Sequence, residues 1–240
     1  MRILKLLFII FILIIPAKAN TIYNLTQIPD LEIYELNTHN NLIYLYALKP
    51  FRLGVEKNIS CFNSEKEILE KKFRVIKKNL DRYSKEFLKK IGLKYLVMCE
   101  DLSISGINTA GIPNNIMKTL IIDIKFNEKY FERVIHHELF HLINDSNKLL
   151  FNQDEWRSYN IKNFKYADCS TCTDKLGLDT YSNTQGFLTE YSKSTPSEDM
   201  AEVFSHLMIG KFEFKEDIIL NKKIRFIKRN IEKIDNNFQF

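Results

Sequence analysis

The sequence predicts an α+β fold, and three observations carry that expectation. Apolar side chains recur in steps of mostly three and four from Ile68 to Ile91, the period of one buried helix face. Lys94–Leu102 and Leu120–Phe126 are apolar runs of strand length, bounded by turn-forming residues. From Glu128 to about Asn144 the helical period returns, and it contains His137-Glu138-Leu139-Phe140-His141. Strands and helices come in blocks rather than in strict alternation, which favours α+β over a doubly wound sheet.

Residues 1–19 have the makeup of an export signal. Arg2 and Lys5 precede the apolar run Leu6 to Ile15, and Ala17-Lys18-Ala19 supplies a small-x-small cleavage site. That run is shorter than the roughly 20 residues a membrane-spanning helix needs. Export to the periplasm or medium is therefore expected, with an uncleaved N-terminal anchor as the alternative and no stable membrane span after signal removal. Leu31–Leu36 and Leu42–Leu48, separated by the Asn-rich stretch 37–41, read as a strand pair. Ser64-Glu65-Lys66-Glu67 reads as a capping box that opens a long helix, stopped at Gly92.

Ser103–Asn115, with Gly106, Gly111 and Pro113, reads as a loop, and Asn127 caps the helix that follows. Residues 146–194 read as irregular. Trp156, Tyr159, Phe164, Tyr166 and Tyr181 there are either pocket walls or a small core. Thr195-Pro196-Ser197-Glu198 opens a helix running to Leu207 or Met208, with Gly210 as its stop, and Glu216–Ile234 forms a last amphipathic helix.

Charge argues against a nucleic-acid partner. The formal +5 falls to +2 once Arg2, Lys5 and Lys18 leave with the signal. The pairs Lys71-Lys72, Lys77-Lys78 and Lys89-Lys90 sit on helical segments as solvated faces. Cys61, Cys99, Cys169 and Cys172 remain, and an exported chain meets oxidising conditions, so one or two disulfides are expected, in any of three pairings. Cys169-Ser170-Thr171-Cys172 reads as a short-loop disulfide or structural thiols.

His137 and His141 are four residues apart, so on a helix they project from one face and can grip a single metal ion. Glu138 lies beside that ion without binding it. Two imidazoles with an adjacent carboxylate are what a zinc hydrolase uses to hold one Zn2+ and deprotonate water, with Glu138 as general base. A third donor must come from elsewhere. A His-x-x-Gly-x-x-His continuation is excluded, because Leu142, Ile143, Asn144 and Asp145 follow His141. The candidates are carboxylates on the later helix: Glu198, Asp199 and Glu202, of which Glu198 and Glu202 share a face with His206 a turn beyond. Glu198 could instead close a Thr195 capping box. His136 faces away from the pair, and Asp145 is a candidate acceptor for an imidazole N–H.

The segment Leu188–Glu202, with its Pro-Ser-Glu-Asp-x-Ala-Glu string, resembles the C-terminal part of the anthrax lethal factor-like gluzincins, a group that includes the Pro-Pro endopeptidases. Together with Trp156 and the Asn160, Phe164, Tyr166 spacing, it is also similar to a group of secreted bacterial zinc metallopeptidases. The likeness covers residues from about 118 to 210. It implies Glu198 as third zinc ligand, Tyr191 as the active-site tyrosine, and Glu202 as a carboxylate supporting the ligands. It also implies a zincin-like catalytic domain over 20–240. That domain would comprise a β-rich segment 20–60, an upper lobe 61–145 with a small sheet and the active-site helix, and a mainly helical lower lobe 146–240.

The functional expectation is an exported zinc metalloendopeptidase acting on a peptide or protein substrate. Two alternatives stand beside it: a binding module that keeps zinc as a structural staple, and a zinc amidase acting on a non-protein substrate.

Overall fold

The structure, a computed structural model, describes residues 30–174, 176–210 and 216–240; the expected export signal 1–19 lies outside them. Its centre is the strand β5 (Tyr95–Ile104), whose two halves serve different neighbours. The first half lies parallel between β2 (Ile43–Ala47) and β8 (Thr119–Asp123). β1 (Leu31–Glu35) pairs antiparallel with β2, and β7 (Gly111–Asn114) antiparallel with β8. The second half of β5 pairs antiparallel with β4 (Ile59–Phe62) and β6 (Ile107–Asn108), and β4 carries β3 (Phe51–Leu53).

Strand periodicity sorts the side chains. Leu96, Met98, Leu120 and Ile122 join the main core beneath the helices, while Val97, Cys99 and Ile121 join a second cluster with Leu45, Phe51 and Cys61. A strand buried on both sides reads as a continuous apolar run, as β5 does. Cys61–Cys99 is a disulfide between paired strands, and Cys169–Cys172 is the other.

The expected long helix is two. α1 (Lys66–Leu80) ends at a turn, and α2 (Lys85–Lys90) restarts from Ser84, whose hydroxyl accepts from Phe87 N–H. The break serves Tyr83, which turns inward, almost fully buried, to meet His136. The Ser64 capping box does not form. The Ser64 hydroxyl donates to the Met98 carbonyl, and the Glu100 carboxylate accepts from Glu65 N–H at 2.6 Å instead. The loop expected over 103–115 contains the edge strand β7, and the irregular stretch 146–194 contains α4 (Gln153–Ser158).

α3 (Glu128–Ser146) follows β8 directly, and Asn127 caps it by accepting from Lys129 N–H. α5 (Pro196–Ile209) packs against α3, with Phe140 and Phe204 rings 5.3 Å apart. Gly210 ends α5 in the left-handed region (φ 65°), where a Cβ would be strained. α6 (Ile218–Ile234), capped by Asp217, lies against α4 and α5. Trp156 is fully buried and packs on Phe226, so this aromatic belongs to the core and not to a pocket wall.

Candidate metal centre

α3 and α5 face each other with their functional residues inward. His137 and His141 sit one turn apart on α3, and Glu198 sits in the first turn of α5. His137 Nε2 lies 2.9 Å from Glu198 Oε2, His141 Nε2 lies 3.2 Å from the same oxygen, and the two Nε2 atoms are 3.3 Å apart. A tetrahedral zinc with bonds of about 2.0–2.1 Å separates its donor atoms by roughly 3.3 Å. The triangle therefore has the size and donor chemistry a zinc ion requires. Among the described residues this trio forms the one group of His, Cys, Asp and Glu close enough to hold a metal. Their side chains are 7, 17 and 12 % exposed, which leaves one side of the cluster open.

Local sequence explains how Glu198 is freed for this task. The Thr195 hydroxyl accepts from Glu198 N–H at 3.2 Å, so the backbone half of the capping box forms. The Glu198 carboxylate turns to the histidines instead of back to the cap. His141 and His137 hold it well below the usual carboxylate range, against the opposing effect of burial.

Glu202, one turn on, is not in the trio. It accepts from His137 Nδ1–H at 2.9 Å and from the Thr189 hydroxyl at 2.9 Å. The Arg133 guanidinium stands 3.8 Å away. Burial opposes ionisation, but the His137 bond and the Arg133 charge draw Glu202 down to about 2. In the metal-free chain His137 is correspondingly high. Burial pulls it down, yet its bonds to Glu198 and Glu202 outweigh that and hold it up to about 10.

Glu138 is buried beside the trio, and burial raises its carboxyl above the ordinary value, partly offset by the two histidines. It lies directly under β7: a Cβ on Gly111 would meet its Cγ at 2.7 Å. Tyr191 occupies a one-turn 3-10 segment, Tyr191–Lys193, held by reciprocal Thr189 and Ser192 bonds. Its ring centroid is 5.9 Å from that of His137. Burial, then the Glu198 and Glu138 charges, push its pKa above the usual phenol range.

The remaining candidates fall elsewhere. Asp199 turns from the trio to accept from Lys223 Nζ, Trp156 Nε1 and the Tyr166 hydroxyl. His136 is buried between the Tyr83 hydroxyl and Asn79, at 2.6 and 2.8 Å. His206 bonds the Glu202 carbonyl through Nδ1. Asp145 is exposed and pairs with Lys148, so it is no acceptor for either imidazole; the Ser197 hydroxyl, 3.3 Å from His141 Nδ1, has that place. Sequence reasoning missed Arg133 and Thr189. Arg133 had a signal, four residues before His137 on the same helical face; Thr189, in an irregular stretch, had none.

The profile of the family described as "Putative zinc-binding metallo-peptidase" matches residues 84–236. The chain belongs to that family. The matched span takes in α3, the irregular stretch, α5 and all of α6 of this zinc-binding metallopeptidase. A crystal structure from Bacteroides caccae, described as a putative zinc-binding metallo-peptidase, superposes with a TM-score of 0.50 at 17 % identity, covering 83 % of this chain and 81 % of that one. At that identity the likeness speaks for the fold. No curated protein matches the chain.

Proposed function

We propose that this metallopeptidase is an exported zinc endopeptidase of the gluzincin type, akin to the lethal factor-like group. Its sheet with α1–α3 would form an upper lobe, and the chain from 146 onward a lower one. The observation that carries the reading is the convergence of His137, His141 and Glu198 from two helices, with Glu138 and Tyr191 flanking them. The three would bind the ion. Zinc at that place supplies the Lewis acidity that makes water a nucleophile near neutral pH.

Each of the chain's own groups then has a task. Glu138, whose buried carboxyl has a raised proton affinity, takes a proton from the attacking water and returns it to the leaving amine. Tyr191 stays protonated and offers its hydroxyl to the oxygen on which charge develops. Glu202 fixes the ring of His137 through Nδ1, with Arg133 and Thr189 holding the carboxylate in turn.

A structural-zinc module is disfavoured by the donor set. Structural sites are closed by a fourth protein ligand, often Cys, and all four cysteines are committed to disulfides. The test is zinc content of the mature protein together with peptide-library digestion, with and without a chelator. Parent should bind one zinc and cut; Glu138→Gln should keep the zinc and lose about 10²- to 10⁴-fold in turnover. Zinc-loaded parent that cuts only cell-wall fragments would point to the amidase reading, and full activity in Glu138→Gln would end the mechanism.

There is no described helix long and apolar enough to cross a membrane. Export itself is read from residues 1–19 and is tested by N-terminal sequencing of the protein recovered outside the cytoplasm.

A further inference from the structure

Arg133 is a buried charge whose hydrogen bonds do not go to the metal centre. It stands one turn before His137 on α3 and is 6 % exposed, yet the Glu202 carboxylate it faces is 3.8 Å away, beyond hydrogen-bond length. One terminal nitrogen donates instead to the Leu178 carbonyl at 2.7 Å, and the other to His206 Nε2 at 3.2 Å. His206 accepts there because its Nδ1–H is spent on the Glu202 carbonyl, at 2.8 Å. A guanidinium taken out of water is costly unless its donors are matched. The shortest of its matches is a backbone carbonyl in the irregular stretch.

That carbonyl belongs to a strap, residues 177–181, in which no side chain is buried. Core packing does not hold the strap; hydrogen bonds on two sides do. On the side of α3 and α5, Leu178 accepts from Arg133, and the Thr180 hydroxyl donates to His206 Nε2 at 3.1 Å. There too the Asp179 carboxylate accepts from the Tyr130 hydroxyl at 2.9 Å and pairs with Lys129. On the other side, Tyr191 N–H donates to the Gly177 carbonyl at 3.0 Å, Gly177 N–H to the Glu190 carboxylate at 3.2 Å, and Tyr181 N–H to the Leu188 carbonyl at 2.8 Å. Consecutive carbonyls are thus gripped from opposite directions, Gly177 by the tyrosine's own N–H and Leu178 by Arg133. Peptide units are planar, so only the two backbone torsions of Leu178 lie between the two grips.

We propose that Arg133 is a positioning residue for Tyr191, fixing through the strap the turn that presents the tyrosine. A charge serving only to face Glu202 would need no bond to Leu178. The kinetic consequence rests on the endopeptidase reading, whereas the coupling of Arg133 to the Tyr191 backbone can be observed without turnover.

The experiment uses the zinc-loaded protein and follows amide hydrogen exchange by NMR. Arg133→Lys keeps a cation facing Glu202, but one ammonium cannot serve Leu178 and His206 as the planar fork does. The Tyr191 amide, bonded to Gly177, should exchange about tenfold faster, the weight of one charge-assisted hydrogen bond, while the Phe204 amide inside α5 is unchanged. An unmoved Tyr191 amide, or equal quickening at Phe204, overturns the proposal. Should Arg133→Lys fail to fold, Asp179→Ala frees the same strap from Tyr130 and Lys129 at an exposed position, and an unmoved Tyr191 amide there overturns it instead. In kinetics, Arg133→Lys should lower kcat about threefold to tenfold with KM and zinc content unchanged. In the Tyr191→Phe background it should have no further effect. Additive losses, or parent-like kcat, also overturn it. Zinc-loaded parent that cuts no peptide while the Tyr191 amide responds as expected would instead sink the endopeptidase reading and leave the coupling standing.

Discussion

Gly111→Ala is the smallest change that reaches the candidate general base from outside the helix. Gly111 opens the edge strand β7, where its Cα pairs with Ile122, and its backbone passes directly over Glu138. An added methyl would stand 2.7 Å from Glu138 Cγ and 3.1 Å from Cδ, with the Ile121 carbonyl 3.1 Å away behind it. Ordinary contact begins near 3.4 Å, so the Glu138 side chain must yield by about 0.7 Å. The strand cannot retreat, because its ladder to β8 and the Ile121 carbonyl fix it on the far side. A misplacement of about 1 Å at a reacting group costs on the order of 10²-fold in rate, which puts the expected loss between roughly tenfold and a hundredfold. Zinc content should be unchanged, since none of the trio is touched. The assay is kcat on the best peptide from the library, with zinc stoichiometry and Tm measured alongside. Parent-like kcat with a folded, zinc-loaded variant would refute the placement of Glu138 at the reacting water.

Three further outcomes are expected. In the metal-free protein His137 is held up to about 10 against an ordinary 6.5, so at pH 8 it carries a proton that zinc must displace. Calorimetry in two buffers of different ionisation enthalpy should find about one proton or more released per zinc, with affinity rising with pH toward 10. Because that pKa is raised, the stability it lends the metal-free fold is fully present below pH 6.5 and is lost as pH climbs through about 10. Glu202→Gln should weaken zinc binding about 10- to 100-fold by loosening the His137 ring; parent-like zinc affinity would mean the ring is held by something else. Lys223→Met strands the Asp199 carboxylate in a fully buried place, and removing one partner of such a pair costs about 3–5 kcal/mol. Urea unfolding reads this directly, and a loss under about 1 kcal/mol would contradict it.

The parts of this fold that were legible in the sequence are those in which local pattern and tertiary role agree. Asn127, Thr195 and Gly210 mark helix ends by chemistry that acts within a few residues, and α3 and α5 lie close to where those marks put them. The two histidines of the pentad were legible for the same reason, because metal donors need fixed residue types at fixed helical spacing; that spacing left Glu198, Asp199 and Glu202 open, and Glu198 was implied only by the family resemblance. The failures are all nonlocal. Ser64 has a sequence suited to capping, but the Glu100 carboxylate from β5 takes the backbone N–H first. The helix break at residues 81–84 is invisible to periodicity, because the apolar steps continue through Tyr83, which leaves the helix to reach His136. Asp145 has the right spacing from His141 but lies past the packed part of α3, where solvent and Lys148 claim it. Strand β7 reads as a loop because Gly and Pro, poor strand formers, suffice on an edge that donates few bonds and must leave room for Glu138.

What most distinguishes this site is that each helix bearing a donor is locked by the residue next to that donor. His136 precedes His137 and points the other way, gripped at both ring nitrogens by Tyr83 and Asn79. Asp199 follows Glu198 and is likewise turned inward, where Lys223, Trp156 and Tyr166 converge on one oxygen. Neighbours on a helix are about 100° apart, so fixing one side chain in the core sets the azimuth of the next. Glu202 then joins the two halves, since it reaches His137 from α5 and also holds the Thr189 turn that presents Tyr191. The donors are thus aimed by core contacts the ion does not make. An ion arriving there would have little ordering left to impose on its donors.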